Sequence, residues 1–123
     1  MSLIGNLLWI VAGGGFFIFF AYLVGGLGLC LTIVGIPFGV QCIKLSVLGL
    51  TPFGAKVVAK SSASGLVAVV MNIVWILTGG ITLALIHIIF GLLCALTIIG
   101  LPFARQHIKL ASLSLTPFGK AVV

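Results

Sequence analysis

Two short polar sets recur in this sequence at one spacing: Gln41 with Lys44, and Gln106 with Lys109. Side chains at i and i+3 share one helix face. Helical projection extends each face, adding Thr51 to the first set and Thr116 to the second, with Leu48 interrupting the first and Arg105 standing beside the second. An amide and an ammonium so placed suit two tasks. They can hold the phosphates of anionic lipid headgroups, or line an electropositive cavity that favours anions when several copies gather around an axis. Other chemistry is sparse. The chain has no Asp or Glu, which excludes carboxylate acid–base catalysis and leaves any serine triad without its acid. No Gly-x-Ser-x-Gly elbow occurs, and no GxxxxGK[ST] phosphate loop. Cys30, Cys42 and Cys94 lie in apolar runs without a CxxC, and His87 and His107 complete no metal-ligand spacing. The cysteines read as small buried or lipid-facing side chains. His87 reads as a polar group satisfied by a backbone carbonyl or a neighbouring helix, with a proton-sensitive site as the sharper alternative. No enzyme, metal or cofactor is expected.

The elements that must position these residues are apolar. Of 123 residues, 63% are hydrophobic and 5% charged, whereas a soluble domain carries about 25% charged residues. Such a chain cannot cover its surface in water. Two weakly polar stretches run from Leu3 to Phe38 and from Leu66 to Phe103. A bilayer core about 30 Å thick takes about 20 apolar residues per helical crossing. Each stretch is too long for one ordinary span and just short of two generous ones. The opening Met-Ser-Leu-Ile lacks the positive start of a secretory signal, so the first run is expected to be retained. The cations Lys44, Lys56, Lys60, Arg105, Lys109 and Lys120 follow the apolar runs. The positive-inside rule accounts for them, and nucleic acid is excluded as a partner.

The chain repeats itself. Thr32-Ile-Val-Gly-Ile-Pro-Phe38 returns as Thr97-Ile-Ile-Gly-Leu-Pro-Phe103, and Leu50-Thr-Pro-Phe-Gly54 as Leu115-Thr-Pro-Phe-Gly119. Upstream, Asn6, Trp9, Gly13 and Gly14 match Asn72, Trp75, Gly79 and Gly80, with the offset changed by one residue. This is a tandem duplication, with units at 1–60 and 61–123. The pattern of Asn and Trp near the unit's start, a long apolar run, Gly-Ile-Pro-Phe-Gly, a Gln and Lys segment and Thr-Pro-Phe-Gly resembles the bacterial YccF family of inner-membrane proteins. The resemblance implies an inner (plasma) membrane location and supplies no catalytic residues.

Topology follows from parity. If both basic clusters are cytoplasmic, the chain between them crosses an even number of times. In the favoured arrangement each long run is a hairpin turning near its glycines. Its return helix stops at Gly35 and Pro37, or at Gly100 and Pro102, because Pro lacks the amide a helix interior needs. Segments 38–51 and 103–116 then lie on the cytoplasmic surface as amphipathic helices. In the alternative, the long run crosses once and the short Pro-to-Pro segment returns through the membrane. Lys56 to Gly65 reads as a linker, with Ser64 as a helix cap. The expected fold is all-α: about four membrane-embedded helices plus two short amphipathic ones, multi-pass, with both termini cytoplasmic. The expected function is a homo-oligomeric assembly forming an anion-permissive pore. The alternatives are a non-conducting structural or lipid-interacting protein, or an accessory subunit of a larger membrane complex.

Overall fold

The computed structural model describes residues 2–59 and 65–123. Lys60 and Ser64, which the linker reading used, lie outside the described residues. The chain divides into two compact units, the boundary falling between Lys56 and Val57.

The first unit holds α1 (Ser2–Ala12), α2 (Gly15–Cys30) and α3 (Ile36–Leu50). Helices α1 and α2 are bent by 76° at their break. Gly14 sits there at φ 89°, a left-handed conformation that costs a residue with a Cβ but not glycine. Helices α2 and α3 form an antiparallel hairpin, which follows from the contacts along it. Trp9 and Ile18, near the base, meet Gly49, while Gly26 meets Gly39 nearer the tip. At Gly26 and Gly39 the two backbones approach so closely that a Cβ on either would strike the other's carbonyl oxygen. Small residues allow this contact between helices that have no hydrophobic effect to join them.

The second unit begins with strand β1 (Val57–Ala59), which pairs with β2 (Lys120–Val122) in a two-stranded sheet. The fold is therefore mostly helical and not strictly all-α, because the Val-Val pairs after each Thr-Pro-Phe-Gly supply strand-forming residues. Helix α4 (Gly65–Trp75), a π-helical turn (Ile76–Gly80) and α5 (Ile81–Ala95) follow. Together they make one continuous helix of 31 residues, Gly65–Ala95, long and apolar enough to cross a membrane. Helix α6 (Leu101–Leu115) packs antiparallel on α5.

The hairpins therefore differ from the favoured reading. Gly79 and Gly80 do not reverse the chain; Gly80 is helical at φ −61° and ψ −39°. The chain reverses instead at 31–35 and 96–100, and α3 and α6 pack against α2 and α5. In an apolar run a helix satisfies every amide internally, so glycine alone is no reason to turn. At the actual reversal Thr32 Oγ donates to the Leu29 carbonyl at 3.0 Å and accepts from the Gly35 amide at 3.0 Å. Thr97 does the same with Cys94 and Gly100, at 3.3 and 3.0 Å. Pro37 and Pro102 then stand in the first turn of α3 and α6, where the missing amide would have had no helical partner.

Candidate functional site

Each hairpin is closed at its base by one repeated set of side chains. Asn6 brackets the Phe53 backbone, donating Nδ2–H to its carbonyl at 3.0 Å and accepting its amide at 2.8 Å. Asn72 does this to Phe118 at 3.0 and 2.9 Å. The Trp9 indole donates to the Gly49 carbonyl at 2.7 Å, and that of Trp75 to the Ser114 carbonyl at 2.6 Å. Trp9 meets Phe53 edge to face with ring centres 6.4 Å apart, as Trp75 meets Phe118 at 6.4 Å. The Thr-Pro-Phe-Gly segment thus ends α3 or α6, buries its Pro52 or Pro117 and presents the Phe backbone to Asn. Gly15 and Gly80 lie directly beneath the indoles, where a Cβ would collide with the ring. The one sequence signal for these locks is the recurrence of Asn and Trp near the start of both units, which does not name their partners.

The candidate polar stripe lies on α3 and α6. Gln41 and Lys44 are half-buried one turn apart on α3, and Gln106 and Lys109 repeat this on α6. The side-chain oxygens Oε1 of Gln41 and Gln106 are both buried with no hydrogen-bond partner. Burying such an oxygen unpaired costs about 1–3 kcal/mol, and the chain carries this cost at equivalent places in both units. Thr51 and Thr116 leave the helical stripe as C-caps of α3 and α6. Thr116 accepts a hydrogen bond from Lys120 Nζ at 2.6 Å. Arg105 is exposed on α6, and Val40 holds the equivalent place in the first unit.

The hairpin in the second unit also joins two residues that are distant in sequence. His87 and His107 face each other with Nδ1 atoms 3.2 Å apart, both buried, and Phe90 stacks on His107 at 5.9 Å. His87 thus takes a neighbouring helix's side chain as its partner. The first unit places buried Tyr22 and Cys42 at the equivalent positions. Among the described residues no cluster of three or more potential metal ligands exists.

These features define a class: a helical membrane protein of two units, each a hairpin locked at its base, bearing a duplicated polar stripe. Comparison with known proteins agrees. The family model described as an inner membrane component domain, YccF, matches residues 4–55 and again 70–120, and the chain belongs to the YccF family. It is 29% identical over 118 residues to the inner membrane protein YccF of Escherichia coli (strain K12), covering 89% of this chain and 80% of that one. The inner membrane protein YccF of Shigella flexneri is similar to the same extent, with 29% identity. No solved structure matches the chain.

Proposed function

We propose that this chain is a non-enzymatic, multi-pass component of the bacterial inner membrane. It assembles with copies of itself and passes anions along the Gln41/Lys44 and Gln106/Lys109 stripes. The observation that carries this reading is the pair of buried, unpartnered Gln oxygens, repeated in both units beside a lysine. In a monomer they cost stability. In an assembly, donors from a second copy or a hydrated path offset that cost. With no acidic side chain in the sequence, the field along such a path is positive throughout, and rings of fixed positive charge concentrate anions. The membrane-embedded helices in this reading are α2, α3, α6 and the continuous helix formed by α4 and α5. Each hairpin returns the chain to the side it left, which keeps both basic clusters and both termini cytoplasmic, as the positive-inside rule requires.

Reversing both sites together, Lys44→Glu with Lys109→Glu, is expected to move reversal potentials in reconstituted bilayers toward cation preference under a KCl gradient. Silence in recordings of a preparation verified to be oligomeric overturns conduction. A second reading is favoured by the exposed apolar faces, which leave the molecule clad in lipid. Here the lysines hold anionic headgroups and nothing is conducted. The same double variant then weakens binding to anionic vesicles by roughly 1 kcal/mol per removed charge, with conductance absent in both proteins.

A further inference from the structure

The histidine contact that joins α5 to α6 sets the second hairpin apart from the first. His87 and His107 are 4% and 3% exposed, with their Nδ1 atoms 3.2 Å apart. One ring donates its Nδ1–H, and the other accepts at a bare Nδ1 while carrying its own proton on Nε2. The seam around them is thinly packed. Beside His87, α5 buries only the small Ala84 and Gly91. A Cβ at Gly91 would stand 3.3 Å from the His107 Cβ, so the two backbones close on one another there. His87 is thus the one large side chain that α5 buries against its partner. The base of the hairpin is held separately, by Trp75 on the Ser114 carbonyl and Asn72 on the Phe118 backbone. Helices parting at the histidines would pivot on that base.

Protons act on this contact in two steps. The donating ring can take a first proton at Nε2 and go on donating. Phe90, stacked on His107 with ring centres 5.9 Å apart, offers its face to a cation. The second proton has no such place. It must enter the accepting Nδ1, which sets N–H against N–H and puts like charges on neighbouring rings. Nothing on the packed elements offsets them. The chain has no Asp or Glu. The other titratable or charged groups of the two helices are Cys94, two turns beyond His87, and Arg105 and Lys109 of α6. Arg105 and Lys109 stand two residues either side of His107, on the opposite side of the helix. Helix α4 and the π-helical turn carry no such group.

We infer that the second hairpin is an acid-sensitive clasp: protonation of both His87 and His107 parts α5 from α6 about the locked base. The first hairpin, closed over Tyr22 and Cys42, stays shut. An open clasp binds more protons than a closed one, so falling pH opens it and rising pH closes it. Helix α6 also carries Gln106 and Lys109, so opening moves one of the two polar stripes. The clasp itself does not depend on whether those stripes conduct. Spin labels at Ile89→Cys with Ile108→Cys span the second hairpin, and labels at Val24→Cys with Val40→Cys span the first; all four sites are exposed. Cys30, Cys42 and Cys94 are changed to Ala in each. In lipid nanodiscs the second distance should lengthen by several ångströms between about pH 7.5 and about pH 4.5, across the range in which imidazole ordinarily takes up its proton. It should shorten again when the pH is restored, and the first distance should not move. The chain has two histidines, so nitrogen-15 histidine labelling reports this pair alone. Its spectrum should show opposite tautomers at neutral pH and two fully protonated rings in acid. His87→Tyr with His107→Ser removes both imidazoles and should abolish the lengthening; should that variant not fold, the first hairpin still supplies the comparison. Two protonated rings with an unchanged distance overturn the clasp. So do rings that stay neutral throughout, lengthening of both hairpins together, or the same lengthening in the variant.

Discussion

Asn6, Trp9 and their copies show how a polar residue earns its place in a chain clad in lipid: each donor and acceptor meets a backbone group of the same unit. His87 and His107 obey the same rule through each other. A hydrogen bond between two Nδ1 atoms at 3.2 Å requires opposite tautomers, one ring protonated at Nδ1 and the other at Nε2. His107→Ala therefore removes the imidazole partner of a buried ring, and we expect a loss of about 1–3 kcal/mol, read as a lower thermal midpoint by circular dichroism in detergent. The double variant His87→Tyr with His107→Cys installs the pair the first unit holds at Tyr22 and Cys42. It should recover most of that loss. A midpoint for His107→Ala equal to that of the unaltered chain would show that the histidine contact contributes nothing.

Elements differ between the units by one residue, with large consequences. Six positions separate Trp9 from the buried Gly15, but five separate Trp75 from Gly80. Trp and Gly must meet in both units. The longer connection breaks the helix at Gly14, and the shorter one winds through as a π-turn. The wider π-turn frees carbonyls, and Thr78 Oγ donates to those of Val74 and Trp75 at 2.8 and 3.2 Å. Deleting Gly14 should therefore merge α1 and α2 into one helix and abolish the 76° bend. Spin labels on positions 3 and 27 would then separate by several ångströms in a pulsed dipolar measurement. An unchanged distance would locate the cause of the bend elsewhere than this residue count.

At the scale of the whole molecule the exterior is the main fact. Large apolar side chains are exposed along every long helix, and the fully buried large ones are few: Trp9, Leu45, Leu48, Leu110, Leu113 and two prolines. Burial of Trp, Leu and Pro near each base holds each unit together by itself, while little interior remains for a monomer to gain. The proposed assembly therefore predicts a defined homo-oligomer in lipid nanodiscs by native mass spectrometry. Gln41→Leu with Gln106→Leu replaces the unpaired oxygens by apolar groups and should shift that distribution toward monomer. A monomer at all concentrations would remove the basis for a shared path.

Much of this was legible in the residues themselves. A chain with 5% charge and no acidic side chain must take lipid as its solvent whatever its topology, because composition alone sets what its surface can face. The duplication was equally plain, and Pro37 and Pro102 marked breaks between helices because proline lacks the amide a helix interior needs. Which helices pair was not legible. Gly13–Gly15 and Gly79–Gly80 are compatible with a reversal, a bend or a close approach, and an almost uniformly apolar run has no periodicity to show its partner. That choice rests on contacts between residues about 20 to 47 apart: Asn6 with Phe53, Trp9 with Gly49, and His87 with His107. Only the tertiary structure brings such residues within hydrogen-bonding distance, and in lipid a satisfied polar group decides between arrangements that burial alone leaves nearly equal.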